Sequence, residues 1–214
     1  MDEDIAAINT STRKEKIKNF FINNQKKIII FLSLIILLVI SYFSYNEINR
    51  RNKERTANKF NTLSINFISG NKSNIEKEMV SIVEAKDRTY SPLALYFLLD
   101  NDIISSKEKI NSLFDILIKD TRLDKEIRNL IIYKKALYNA DFETENNLLK
   151  ILNPLINSES IWKSHALYLM AEYFLNKNEK QKSKEFLEKI LTLENSNAKI
   201  KLETQKRIQR DFSE

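Results

Sequence analysis

"IWKSHALYLMAEYFLNKN", Ile161–Asn178, decides the fold together with the adjoining "EKQKSKEFLEKILTL", Glu179–Leu193. Leu167, Met170, Ala171 and Phe174 recur at helical spacing in the first segment, as do Ser183, Leu187 and Ile190 in the second. Steps of three and four residues put side chains on one face of a helix. Each stripe contains a small residue, Ala171 or Ser183, where two backbones can approach closely. The pair predicts two antiparallel helices turning at Asn178-Glu179. The same stretch holds the chain's single tryptophan, Trp162, and single histidine, His165. Three residues apart, they share a helix face, so they read either as a catalytic pair or as packing. A catalytic histidine needs a nucleophile or an orienting acid beside it, and no paired motif supplies one. The expectation for Trp162 is packing under the preceding Pro154-Leu155 turn.

Working outward, the chain from about residue 54 reads as successive amphipathic helices with short polar joints. "RTANKFNTLSINFIS" places Phe60, Leu63, Phe67 and Ile68 in one stripe and stops at Gly70-Asn71. "SNIEKEMVSIVEAK" carries Ile75, Met79, Ile82 and Val83. In "SPLALYFLLDN", Ser91 reads as an N-cap with Pro92 at the first helical position. "SSKEKINSLFDILIK" opens with a capping box, Ser105-x-x-Glu108, and runs through Ile110, Leu113, Phe114 and Leu117. "DKEIRNLIIYKKALYNA" offers Ile127, Leu130, Ile131, Lys134 and Leu137, and "TENNLLKILNPLI" and "NAKIKLETQKRIQRDF" supply further helices. No stretch alternates with period two, so the fold class is all-α, built from antiparallel helix pairs.

Composition excludes much chemistry. The chain has 214 residues, no cysteine, one histidine and one glycine, Gly70. Disulfides, thiolate metal sites and cysteine nucleophiles are excluded. Phosphate-binding loops need several glycines for close backbone approach. No Asp-x-Asp-x-Asp loop appears, and Glu76 and Glu78, two apart on a helix, do not face each other. No cofactor, no metal, no small-molecule substrate and no enzymatic activity are expected. A membrane-tethered enzyme stays as the third reading, which a deep pocket with converging polar groups would favour.

The net charge of +6 is unevenly placed: residues 1–27 contribute +2, residues 28–45 none, residues 46–60 contribute +3, and 61–214 the remaining +1. A nucleic-acid binder shows a basic face on its folded domain, whereas charge flanking an apolar run suits anionic headgroups. No nucleic acid is expected. "NRRNKER" (Asn49–Arg55) reads either as a headgroup or channel contact or as a solvated helix continuation. "KRIQR" (Lys206–Arg210) reads as a solvated face.

Residues 28–45, "IIIFLSLIILLVISYFSY", are uncharged. As a helix they span about 27 Å, close to the ~30 Å hydrocarbon core. Tyr42 and Tyr45 stand at one end, where aromatic rings favour the interface, and Lys26 and Lys27 close the other. A cleaved signal peptide is the competing reading. The 27-residue polar stretch ahead of the run and the lack of a small-x-small site favour an uncleaved anchor. Six Lys/Arg precede the span and five follow closely, so charge leaves the orientation open. The expected organisation is a basic tail (1–27), a transmembrane helix (28–45) in membrane lipid, a juxtamembrane helical linker (46–60) and a helical-hairpin domain (61–214).

Paired helices of this length raise the question of a repeat. Leu167, Met170, Ala171 and Phe174, then Ser183, Leu187 and Ile190, resemble the signature positions of a tetratricopeptide repeat. Asn178-Glu179 replaces its usual Gly-Asp turn, and Asn195 its terminal Pro. A looser match places Ile132, Lys135, Ala136, Leu148, Leu152 and Leu155 in the preceding pair, and Ala94, Phe97, Ile110, Phe114 and Leu117 in the pair before that. In superhelical repeats the first helix of each pair lines a concave surface that can hold a peptide. Tyr96, Tyr133, Tyr138, Tyr168 and Tyr173 fall on such helices, where they read either as partner contacts, with Tyr96, Tyr133 and Tyr168 as the candidates, or as core packing.

Over "ILNPLINSESIWKSHALYLMAEYFLNKNEKQKSKEFLEKIL" (Ile151–Leu191), Leu152, Pro154, Leu155, Trp162, Lys163, Ser164, His165 and Ala166 resemble the pattern of the YfgM-type tetratricopeptide repeat-like proteins, the ancillary SecYEG translocon subunits. Pro154, Trp162 and His165 are the marker positions. The resemblance implies a single-pass protein of the bacterial inner membrane, N-terminus cytoplasmic, with its helical domain periplasmic. It also implies protein partners, the Sec translocon and a periplasmic chaperone such as PpiD, and a role in handling newly exported proteins. A cytosolic receptor of reversed topology, or an envelope-assembly scaffold, is the alternative.

Overall fold

In the computed structural model the backbone is described for residues 2–67 and 71–212, and side chains for 15–16, 18–20, 22–67 and 71–212. Ile68 and Gly70, expected at the end of the first stripe, lie outside the described residues. The chain is all-helical, with no strand among the described residues. The helices are α1 (Asp2–Ile65), α2 (Lys72–Glu84), α3 (Tyr90–Asp100), α4 (Lys107–Asp115), α5 (Lys125–Asn139), α6 (Glu145–Ile156), α7 (Lys163–Asn176), α8 (Lys180–Leu191) and α9 (Ala198–Phe212), with a π-helical turn, Ile116–Asp120, closing α4.

The chain divides into two compact units, Met1–Arg55 and Thr56–Glu214. The first is the greater part of α1. Its apolar run is long enough to cross a membrane, and none of the most apolar window is buried against protein. Leu37 and Leu38 are 64% and 62% exposed, where an ordinary core leucine is near zero. Beyond the run, Arg50 binds Glu47 at 3.0 Å and Glu54 at 3.1 Å, and Arg51 binds Glu47 at 2.7 Å. The two arginines hold the Glu47 carboxyl down at about 2.

The second unit is a row of helical hairpins, α2/α3, α5/α6 and α7/α8, with α9 laid along α7 and α8. Its apolar interior is a chain of three clusters. The first joins α2, α3, α4 and the start of α5 around Met79, Leu95, Leu98 and Phe114. The second joins α5, α6 and α7 around Leu148, Leu152 and Met170. The third joins α7, α8 and α9 around Leu167, Ala171, Leu187 and Ile190. Each helix therefore relies on its immediate neighbours, the quasi-one-dimensional packing of a hairpin array.

A chain with one glycine makes these turns with other residues. Lys86, Asp102 and Asn178 take φ of 56°, 48° and 60°, the left-handed region. Asn178 ends α7 in a Schellman arrangement, its N–H donating to Leu175 at 3.0 Å and that of Glu179 to Phe174 at 2.9 Å. Asp102 does the same for α3, with Ile103 N–H reaching Leu98 at 3.0 Å. Short polar side chains tolerate this conformation, so the missing Gly-Asp turn costs the fold little.

Several local expectations are corrected. α3 starts at Tyr90, one residue before the expected cap. Asp87 caps that turn by accepting from Thr89 and Tyr90 N–H at 2.9 and 2.8 Å, while the buried Ser91 hydroxyl donates to Ile82 at 2.6 Å. The α4 cap is Ser106 and not Ser105, accepting from Lys109 N–H at 3.2 Å and bonding Glu108. The hairpin partner of α3 is α2, not α4, and Ile75, Met79 and Val83 share the first apolar cluster with Ala94, Leu95 and Leu98. On α5 the buried stripe runs Asn129, Ile132, Ala136, Asn139, with Ile131 beside it. Ile127 and Leu137, expected inside, are 43% and 48% exposed.

Candidate functional site

Tyr133, Trp162 and His165 come together between α5 and α7. Tyr133 stacks on Trp162 with centroids 5.8 Å apart, and His165 lies 5.0 Å from Trp162 and 5.7 Å from Tyr133. Trp162 packs against the apolar cluster that contains the buried Leu155, while Pro154 is an exposed residue inside the last turn of α6. The entry to α7 is fixed by a half-buried polar network. Ser160 Oγ accepts from Trp162 N–H at 3.1 Å and from Asn129 at 2.9 Å, and donates to Glu126 at 2.8 Å. Asn129 and Ser160 are buried, and the Asn129 amide nitrogen and the Ser160 hydroxyl are both engaged. The cluster is aromatic packing pinned by hydrogen bonds, and among the described residues no nucleophile or carboxylate hydrogen-bonds His165.

Burial holds the His165 imidazole below its ordinary value of 6.5, with the Ile161 carbonyl working the other way. The sign follows from linkage. Below pH 6.5 the unfolded chain takes up a proton that the folded state resists. Stability tied to neutral His165 is present above that pH and is lost as pH falls toward the lowered folded value. Thermal unfolding, followed by Trp162 fluorescence from about pH 7.5 to about pH 5, should show a fall in midpoint that His165→Gln reduces. An identical fall in the variant would assign the pH dependence to other groups.

The remaining candidate tyrosines are separate from this cluster and from each other. The Tyr96 hydroxyl is buried without a partner, and burial, then the charge of Asp100, push its pKa up to about 12. Lys134 Nζ lies 5.1 Å above its ring. Tyr168 is half-buried beside the Arg207–Glu172 ion pair that ties α9 to α7, and burial leads in raising its pKa. Tyr96, Tyr133 and Tyr168 occupy α3, α5 and α7 in turn, but only Tyr133 enters an aromatic cluster. Of the others, Tyr138 packs on Phe114 at 6.2 Å, and the Tyr173 hydroxyl donates to the Glu143 carbonyl at 3.1 Å.

Leu167, Met170, Ala171 and Phe174 on α7 are 0–2% exposed, as are Ser183, Leu187 and Ile190 on α8. The Ser183 hydroxyl donates to the Ala171 carbonyl at 2.8 Å. Two small residues thus meet across the hairpin, and the hydroxyl is satisfied there. Phe174 spans the row, packing with the second cluster and lying 5.5 Å from Phe186.

Sequence reasoning missed a groove of about 760 Å³ on the other side of α5. It is lined by Asp115 from α4, Ile132 and Lys135 from α5, and Lys150, Ile151 and Pro154 from α6. At 100° per residue, Ile132, Lys135 and Asn139 face away from Tyr133, Leu137 and Ala140. Lys135 donates to Asp115 at 2.7 Å. Burial works against the Asp115 charge, but Lys135 and Lys119 prevail and hold its pKa below the ordinary carboxylate value. Spacing along one helix gives no signal for it, because its walls meet through Asn111–Asn139 and Asp115–Lys135. No group of three or more potential metal ligands occurs among the described residues.

No family model, no curated protein and no solved structure matches this chain. The YfgM-type resemblance accordingly rests on the residues of 151–191 themselves.

Proposed function

We propose that this chain is a single-pass membrane scaffold whose helical-hairpin domain binds protein partners. The carrying observation is the pairing of an uncharged apolar helix, unburied in its own protein, with a separately packed array of hairpins. Apolar surface on that scale requires a nonaqueous environment. Hairpin arrays present broad side-chain surfaces suited to polypeptide recognition. The arrangement of Leu167, Met170, Ala171, Phe174, Ser183, Leu187 and Ile190 supports a tetratricopeptide-like reading of the α7/α8 pair.

In this proposal the N-terminus is cytoplasmic and the hairpin domain periplasmic, in a bacterial inner membrane. The partners are the Sec translocon and a periplasmic chaperone of the PpiD kind, and the role is to assist newly exported proteins. The support for these finer terms is the YfgM-type pattern at Pro154, Trp162 and His165. The near balance of Lys/Arg on either side of the span makes reversed topology the reading to test against. Alkaline phosphatase fused after Glu214 is active only when exported, so a high-activity fusion is expected. An inactive fusion alongside an active cytosolic reporter would reverse the topology. Affinity purification of the full chain from mild detergent should recover a Sec component or a periplasmic chaperone. Recovery of neither would remove the translocon assignment.

A further inference from the structure

The groove between α4 and α6 has a chemical character that hairpin packing does not use. Its floor is apolar, carried by Ile118, Ile132 and Ile151, and Phe142 stands 40% exposed at its edge. Beneath it, Asn111 and the fully buried Asn139 exchange two amide hydrogen bonds of 3.0 and 2.8 Å, which fix α4 on α5. Both walls depart from regular helix. The π-helical turn Ile116–Asp120 brings Ile118 and Lys119 into the lining, and such turns recur at functional sites. Across from it Pro154 sits inside α6 and has no N–H to give the carbonyl of Lys150.

Four lysines, Lys107, Lys119, Lys135 and Lys150, line the groove against three carboxylates, Glu108, Asp115 and Glu143, and Glu143 accepts from the Asn147 amide at 2.8 Å. Asp115 meets two cations, Lys135 at 2.7 Å and Lys119 at 3.4 Å. Glu108 lies in the first turn of α4, where the helix dipole offsets a carboxylate, and is bonded by Ser106. Lys107 Nζ rests 3.7 Å from the centroid of the Phe142 ring. Lys150 is exposed and has no hydrogen-bond or ion-pair partner among the described residues. An apolar floor thus lies beside two ammonium groups, Lys107 and Lys150, that form no ion pair among the described residues, and the lining carries one more cation than anion.

We propose that this groove binds a short apolar polypeptide segment bearing acidic side chains. Its apolar residues lie on Ile118, Ile132 and Ile151, and a carboxylate pairs with Lys150. The volume of about 760 Å³ falls in the range of about 300–1,000 Å³ for ligand pockets, so a few side chains fill it. An apolar face laid into a groove between helices is an established mode of peptide recognition. The site lies on the opposite face of α5 from Tyr133. It rests on the reading of this domain as a protein-binding module and is independent of the anchor's orientation.

The test uses the full chain in zwitterionic nanodiscs, with empty discs as the blank. Two fluorescein-labelled twelve-residue synthetic peptides serve as probes, both with a Leu/Phe face, one carrying glutamates and the other lysines in their place. Anisotropy should show the acidic peptide binding at least about tenfold more tightly than the basic one. Lys150→Glu should weaken the acidic peptide by a similar factor, while Lys134→Glu, on another face of α5, leaves it unchanged. Both sites are exposed, and unchanged helical circular dichroism and melting confirm the fold. Equal binding of the two peptides, no binding of either, or insensitivity to Lys150→Glu overturns the groove. If purification still recovers a partner from the Lys150→Glu chain, the scaffold reading survives without it.

Discussion

Phe174→Ala is expected to destabilise the hairpin unit by about 3–5 kcal/mol, the cost of removing a buried phenylalanine and leaving a cavity. A domain of this size has roughly 5–15 kcal/mol in total. At about 2–4 °C per kcal/mol, the melting midpoint should drop by about 6–20 °C. The size of the effect comes from position. Phe174 is 1% exposed, belongs to the cluster joining α5, α6 and α7, and meets Phe186 of α8 at 5.5 Å. Lys182 lies 5.0 Å above the same ring and also pairs with Glu145 of α6 at 2.8 Å. Neighbouring atoms from three helices cannot all collapse into the space it vacates. Trp162→Ala removes a half-buried ring whose stacking on Tyr133 is worth about 0.5–1.5 kcal/mol beyond its burial. Circular dichroism melts of both variants give the comparison. A Trp162→Ala loss equal to that of Phe174→Ala would mean that the α5/α7 aromatic cluster, not the α7/α8 hairpin, holds the row together.

What was legible in the sequence follows the same division. The α7/α8 hairpin could be read because Leu167, Ala171, Phe174, Ser183 and Leu187 combine strong spacing with small residues at one level, and all are buried. The apolar run at 28–45 was legible because it has no charge at all. The α5 face was misread because hydrophobic spacing favoured Ile127, Leu130 and Leu137. The fold instead buries Asn129 and Asn139, each satisfied by a partner on another segment, Ser160 or Asn111. Polar residues paired across sequence separations of 31 and 28 leave no periodic signal. The groove escaped for the same reason: its walls meet through Asn111–Asn139 and Asp115–Lys135, contacts that spacing along one helix cannot reveal. The expected α3/α4 pairing failed because adjacent amphipathic stripes do not state which neighbour they face, and α2 supplied the better apolar match in Ile75, Met79 and Val83.

Removing residues 1–55 is expected to move the protein completely from the membrane pellet to the soluble fraction while its melting midpoint stays unchanged. Leu, Ile, Phe and Val each favour the bilayer centre by about 0.3–0.6 kcal/mol. The apolar run supplies enough of them, with no charge in opposition, for a net insertion energy of several kcal/mol. The second unit packs as a compact body that starts at Thr56. The position of the cut matters. Lys59 bonds the Ser81 hydroxyl at 2.7 Å and Glu78 at 2.5 Å, and Phe60 contacts Tyr90 at 5.8 Å and Phe97 at 6.2 Å. A chain beginning at residue 61, the domain limit expected from the sequence, loses both side chains. It should be less stable than the 56–214 chain, and melt lower, by part of the roughly 1.5–3 kcal/mol that full burial of a phenylalanine is worth, since Phe60 is half-buried. Equal melting of the two would show that the end of α1 contributes no stability to the first cluster. A 56–214 chain still sedimenting with membranes would show that the hairpin unit has a lipid-binding surface of its own, and the apolar run would then not be the sole anchor.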